Sequence, residues 1–273
     1  MLRASGTVLV VAVPLCLLVL PLSSFAQERQ RERGSVLLGA FVTDRSTSAR
    51  LNSSGGGAGN DIDLENDLGL ESSTSVARFG AYFWLKPRQR IDFSIFDLSR
   101  DASRQIQKTI DFGDQTFNIN TVVTTANDTT IGKIDYTFAV LNKQRGFLGL
   151  VGGLYVSANK LTLSAPAVGT AESEDLTAPL PVVGLRGEYE ITERITLRGA
   201  SEWFGIDTGD VSGRLVDTYV GGDYSFGRHV ALGLAYNDVS LNVDSTDQTG
   251  WSGTLDWGYD GILLYLKVDF GRD

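Results

Sequence analysis

The sequence predicts an all-β protein, a single antiparallel up-and-down transmembrane β-barrel. Ten strands fit it best, with eight or twelve as alternatives. Three observations point there. Apolar residues recur with period two, which sends alternate side chains to opposite faces of a strand. The second face is small and charged at once, built from Gly and Ala together with Asp, Glu and Arg, and this suits a narrow polar lumen where opposite charges pair. The connections alternate short and long, as in a barrel with tight turns on one side of a membrane and longer loops on the other.

The strands are predicted near 35–43, 75–85, 90–99, 130–141, 147–157, 179–190, 195–205, 214–226, 230–241 and 258–270. In the second, Ala77, Phe79, Ala81, Phe83 and Leu85 oppose Arg78, Gly80, Tyr82 and Trp84. In the third, Ile91, Phe93 and Ile95 oppose Arg90, Asp92 and Ser94; in the fourth, Ile134, Tyr136, Phe138 and Val140 oppose Lys133, Asp135, Thr137 and Ala139. The same alternation sets Val183, Leu185 and Tyr189 against Gly184, Arg186 and Glu188, and Leu197 and Trp203 against Arg198 and Glu202. It sets Val216, Val220 and Tyr224 against Asp217 and Asp223, and Ile262, Leu264, Leu266, Val268 and Phe270 against Tyr265, Lys267 and Asp269. Short connections fall at 86–89, 142–145, 191–194 and 227–229. Long ones fall at 44–72, 101–129, 163–178, 206–213 and 244–256. An even strand number returns the two ends to one side.

Composition narrows the function classes. The chain has 273 residues, with 24 Lys+Arg against 33 Asp+Glu for a net charge of −9. A nucleic-acid footprint needs a basic face, so nucleic acid is not an expected partner. One Cys and one His exclude most zinc, haem and iron–sulfur sites, which need several such ligands. The 31 glycines exceed the ~7% of an average chain. Residues 1–26 read as a secretory signal: Arg3, an apolar run from Val8 to Leu22, and a small-x-small cleavage site at Ser24-Phe25-Ala26. The barrel domain is then 27–273. Cys16 lies in the signal, so no disulfide is expected.

The charged face predicts a lumen network of Arg78, Arg90, Asp92, Lys133, Asp135, Arg186, Glu188, Arg198, Glu202, Asp217, Asp223, Lys267 and Asp269. Buried charges must be paired, since desolvation would otherwise cost several kcal/mol. Eight strands leave an interior just filled by side chains, and ten lie close to that end, so any pore is narrow. Tyr82, Trp84, Tyr136, Tyr189, Trp203, Tyr224, Tyr236, Tyr259 and Phe270 are expected to form aromatic girdles. The most distinctive loop is 61–70. Its carboxylates Asp61, Asp63, Glu65 and Asp67 recur at every second position, so one extended face would be acidic and could hold Ca²⁺ or Mg²⁺. The alternative is a rim strand or hairpin with Ile62, Leu64 and Leu68 packed inward. Acidic residues also crowd the other long loops, and an acidic mouth favours cations. The sole histidine, His229, falls in a short turn beside Arg228, where no nucleophile–base pair emerges.

The signal, the alternating strands, the loop asymmetry and the ending Tyr265-Leu266-Lys267-Val268-Asp269-Phe270 together resemble a small Gram-negative outer-membrane β-barrel protein. The resemblance implies residence in the outer membrane, lipid and lipopolysaccharide around the wall, and barrel-assembly machinery that reads the terminal Phe, here Phe270. Gly271-Arg272-Asp273 depart from that ending. Some ten-stranded members are proteases with acidic residues and a histidine at the extracellular rim, where this chain has no histidine. Three function classes follow. The first is a narrow channel or uptake barrel for small polar solutes with some cation preference. The second is a closed structural or adhesion barrel acting through its extracellular loops. The third and least favoured is a rim or lumen enzyme. The solute, the partner and the oligomeric state are open.

Overall fold

The structure, a computed structural model, describes residues 32–53, 57–246 and 252–271; the signal segment 1–26 lies outside them. Ten antiparallel strands close into one barrel: β1 Gly34–Leu51, β2 Ser73–Lys86, β3 Gln89–Asp97, β4 Val122–Lys143, β5 Gly146–Ala165, β6 Thr170–Glu190, β7 Ile195–Asp207, β8 Val211–Ser225, β9 Val230–Ser245 and β10 Gly253–Phe270. Each strand pairs with its sequence neighbours, and β10 closes on β1 from Gly34↔Phe270 to Leu51↔Gly253. Closure removes the free edges that an open sheet would expose, except over the upper part of β6, which pairs with β7 only from Glu190↔Thr196 to Val183↔Trp203.

Parity holds along the chain. In β4 the odd residues from Val123 to Ala139 are buried, while Ile134, Tyr136, Phe138 and Val140 are exposed. The exposed apolar residues form a continuous band around the wall, including Val36, Leu38 and Val42 on β1, Leu232, Leu234 and Tyr236 on β9, and Ile262, Leu264, Leu266 and Val268 on β10. So large an outward apolar surface fits lipid and not water.

The strands run well past this band at the loop end, further than the alternation predicts. In β4 the outward residues there are Thr124, Ala126, Asp128, Thr130 and Gly132. With polar residues on the solvent face, period two fades and the sequence reads as loop. The expected long loop 163–178 is mostly strand: β5 and β6 pair from Gly146↔Tyr189 up to Ala165↔Thr170. The short 3₁₀ turn Pro166–Val168 joins them, closed by Gly169 at φ 71°, a left-handed conformation that glycine adopts without steric cost. A short strand Arg100–Gln105 continues β3 and pairs with β4, and a small hairpin joins Ile110–Phe112 to Gln115–Phe117.

The aromatic girdle needs correction. Tyr136, Tyr189, Trp203, Tyr224, Tyr236 and Phe270 are exposed on the wall, but Tyr82, Trp84 and Tyr259 are buried inside. All three sit on the inward parity of their strands, which outranks any preference of aromatic residues for an interface.

Candidate functional site

Inward parity brings the thirteen predicted charges into the lumen, where they join end to end. Arg78 donates to Asn237 Oδ1 (2.6 Å), and Asn237 Nδ2 donates to Asp217 (2.7 Å). Lys133 bridges Asp217 (2.6 Å) and Glu202 (2.7 Å). Arg186 binds Glu202 (2.9 Å), Asp135 (2.7 Å) and Asp92 (2.5 Å). Arg90 spans Asp92 and Glu188, both at 2.5 Å. Arg198 links Glu188 (3.2 Å) to Asp223 (2.6 Å), and Lys267 links Asp223 (3.4 Å) to Asp269 (3.2 Å).

The register explains where the cations fall. Asp92 lies directly opposite Asp135, and Glu202 opposite Asp217. Like charges so placed repel. Arg186 on β6 neutralises the first pair and Lys133 on β4 the second. Inward glycines leave the room this needs. A Cβ at Gly153 would lie 2.2 Å from Asp135 Oδ1, and one at Gly184 would lie 2.9 Å from Glu202 Cγ. The sequence reading missed Glu32, Ser35, Asn237 and Tyr265 as members of the network. Tyr82 donates to Glu32 (2.8 Å), Ser35 to Asp269 and Tyr265 to Asp223. Parity would have found Ser35, Asn237 and Tyr265; Glu32 lies before the first strand and carries no such signal.

Within the network is a cavity of about 130 Å³, lined by Arg78, Asp92, Lys133, Asp135, Arg186 and Glu202 among others. Aromatic layers lie on both sides of it. Toward the turn end, Trp84 packs edge-on against Phe147 at 5.0 Å, and the Arg90 guanidinium lies 4.0 Å over the Tyr82 ring. Toward the loop end, Phe41, Phe96 and Tyr259 meet edge to face at 5.6–5.7 Å, with Trp257 against Tyr259 and the Arg78 guanidinium over Phe96 at 4.7 Å.

A second apolar core sits above that layer. Ile62, Leu64, Leu68 and Leu70 fold inward against Ile106, Ile110, Phe112 and Phe117, and all are buried. This cap is tied down by Glu65–Arg100 (2.5 Å), Asp67–Lys108 (2.7 Å) and Arg104 Nη1 to Asn66 O (2.7 Å).

The cap corrects the extended acidic face. Only Ile62–Asp63 is strand. The chain then makes one helical turn, with Asp67 N–H donating to Asp63 O (2.8 Å). The four carboxylates are spent on separate partners: Asp61 faces Arg50 (3.6 Å), Glu65 pairs with Arg100, Asp67 with Lys108, and Asp63 caps the turn. Among the described residues no acidic, His or Cys cluster gathers to hold a metal ion, so the structure does not assemble the Ca²⁺ or Mg²⁺ site considered for Asp61, Asp63, Glu65 and Asp67.

Asp63 Oδ1 accepts from the N–H groups of Glu65 (3.0 Å) and Asn66 (2.8 Å), which is N-cap geometry. Burial pushes this carboxyl upward, but the Asn66 and Glu65 donors outweigh it and hold it below its ordinary value. A depressed carboxylate contributes stability above its unfolded value, about 3.9, and loses it as pH falls through the folded value. Amide protection over 64–69 is therefore expected to hold at neutral pH and to drop in acid below the ordinary carboxylate range. Asp63→Ala should cost the turn about 1 kcal/mol and remove that acid-dependent step; hydrogen exchange read at both pH values checks both effects.

His229 lies at the turn end, its Nδ1 3.2 Å from the Asp269 carbonyl oxygen. Phe270 is exposed on β10, and its ring stacks on Phe83 at 6.4 Å.

No protein-family model and no curated protein sequence matches the chain. The chain is similar to solved structures. The outer membrane protease OmpT from Escherichia coli is 12% identical with a TM-score of 0.57, over 87% of this chain and 96% of that one. The translocator domain of the autotransporter NalP from Neisseria meningitidis is 11% identical with a TM-score of 0.40, over 89% and 91%. Ail of Yersinia pestis is 10% identical with a TM-score of 0.36, over 84% and 99%. The fold is thus that of the Gram-negative outer-membrane β-barrels, here with ten strands. Proteins of this fold differ in activity, so the fold alone assigns none.

Proposed function

We propose that the chain is a closed outer-membrane barrel that acts at its loop end, presenting an ordered, capped platform to the cell exterior. The observation that carries this reading is the paired charge network across the lumen, with aromatic layers on both sides of it and a second apolar core above them. The exposed apolar band supports lipid around the wall and lipopolysaccharide at its outer edge. Residues 1–26 would direct export, and Phe270, exposed at the end of β10, would be read during assembly. The expected channel or uptake barrel for small polar solutes draws on the charged cavity of about 130 Å³, but it requires the aromatic layer and the cap to move aside. Catalysis is the weakest reading. OmpT is a protease, whereas the sole histidine here lies at the opposite end from the cap.

Cells displaying the full chain are expected to adhere to a matrix-coated or cell-coated surface more than cells lacking it. A variant with residues 107–119 replaced by a short Gly-Ser linker should lose that gain while keeping the heat-modifiable gel shift of a folded barrel. Equal adherence by all three strains, with solute uptake gained by the full chain, would contradict the reading.

A further inference from the structure

The barrel wall has a break in it. β6 and β7 pair only from Glu190↔Thr196 to Val183↔Trp203. Both strands continue beyond that point, β6 up to Thr170 on the arm of β5 and β7 up to Asp207 on the arm of β8. Among the described residues nothing pairs with the β7-facing edge of β6 over 170–182. The sequence is built for this. Glu190 N–H donates to Arg145 O, on the β5 side, and Ile191 N–H to Ile195 O, on the β7 side. The register with β5 is unbroken from 170 to 189, so odd residues of β6 direct their backbone groups toward β7. Pro179 and Pro181 are odd. They remove the N–H donors at the two positions just above the last pair, so no ladder can extend there. Hydrocarbon tolerates no unpaired donor, and those are the two positions nearest the apolar band.

The lips at the lower end of the break are apolar and exposed: Pro179, Pro181, Val183 (66%) and Trp203 (41%). Behind them, on the inward face, lie Leu180, Val182, Phe204 and Leu215. The lips continue the exposed apolar band without a polar interruption at Val183 and Trp203. We infer that this notch between β6 and β7 is a lateral binding site for an acyl chain of a lipid in the surrounding leaflet, which lies against Pro179, Pro181 and Trp203 and reaches Phe204 through the wall. The inference rests on the membrane placement of the barrel, and not on the closed lumen or the adhesive role. It differs from ordinary lipid contact at the wall, because it places a chain against an inward-facing residue.

The register supplies a matched control. Phe204 lies opposite Leu215, and Leu215 opposite Leu241, so Phe204 and Leu241 are inward residues of one row. Leu241 lies on β9, which is paired with β8 and β10 along its whole length. In a Cys16→Ala background no cysteine remains. Phe204→Cys and Leu241→Cys, each carrying a nitroxide, would be compared in the full chain folded into phosphatidylcholine vesicles, with the heat-modifiable shift confirming the fold. Oxygen accessibility reads lipid contact and a water-soluble nickel complex reads aqueous contact. The label at 204 is expected to show several-fold higher oxygen accessibility than that at 241, with little nickel accessibility. Adding Pro179→Thr and Pro181→Thr restores the missing donors and should bring position 204 down to the value at 241. Equal oxygen accessibility at the two positions would mean a sealed wall, and nickel exceeding oxygen at 204 would mean a water-filled slot. Either result overturns the proposal, as does a proline-replaced variant that folds but leaves position 204 unchanged.

Discussion

Arg186→Met is expected to destabilise the barrel by about 3–5 kcal/mol, the cost of breaking a buried ion pair by removing one partner. Arg186 holds Asp92, Asp135 and Glu202 at once, and Asp92 faces Asp135 across the ladder. Without the guanidinium, two opposed carboxylates stay buried beside a third. A shift of the urea unfolding midpoint in vesicles measures the loss. Neutralising the stranded acids as well, with Asp92→Asn and Asp135→Asn added, should recover a large part of it. That recovery separates uncompensated charge from lost packing. An exposed turn charge offers the contrast: Arg145→Ser should move the midpoint little, because surface charges contribute about 0–1 kcal/mol.

The second large effect lies one layer higher. Phe41 is fully buried, edge-on to both Phe96 and Tyr259, with the Arg78 guanidinium 5.4 Å from its ring. Phe41→Ala removes the ring shared by both contacts and leaves a hole that close-packed neighbours fill only in part. The expected cost is about 3–5 kcal/mol. Phe41→Leu keeps most of the volume and should cost less. Calorimetric or gel-shift melting temperatures of the three proteins check the order. Neither variant should conduct, because Trp257 and the cap stay in place above the hole.

Much of this arrangement is legible in the sequence because a strand has only two faces. Once Ile134, Tyr136 and Phe138 are assigned to the wall, Lys133 and Asp135 must point inward. The same step places Arg186, Arg198 and Asp217, so the membership of the lumen network follows from parity alone. Which charge meets which does not follow, since it depends on partners such as Asn237 and Asp217 that lie on different strands. Strand ends were obscured where both faces turn polar, as at Thr124–Thr130 on β4. The helical turn at 64–68 was hidden by evenly spaced carboxylates, which mimic strand alternation. Tyr82, Trp84 and Tyr259 show the reverse error, residue type favoured over position. The gap between β6 and β7 is a property of pairing, and its one local sign is Pro179 and Pro181 in an otherwise regular strand.

The central claim is that the lumen is closed, and single-channel recording of the folded chain in a planar bilayer tests it most directly. A heat-modifiable gel shift of the same preparation establishes that the barrel has formed. Arg186, Lys133 and their carboxylates cross the middle of the bore, and Phe41, Phe96 and Tyr259 pack together above them. The account predicts a baseline without discrete current steps at every voltage the bilayer survives. Reproducible steps from a verified barrel, with a preference for cations, would contradict it and make the charged cavity part of a conducting path.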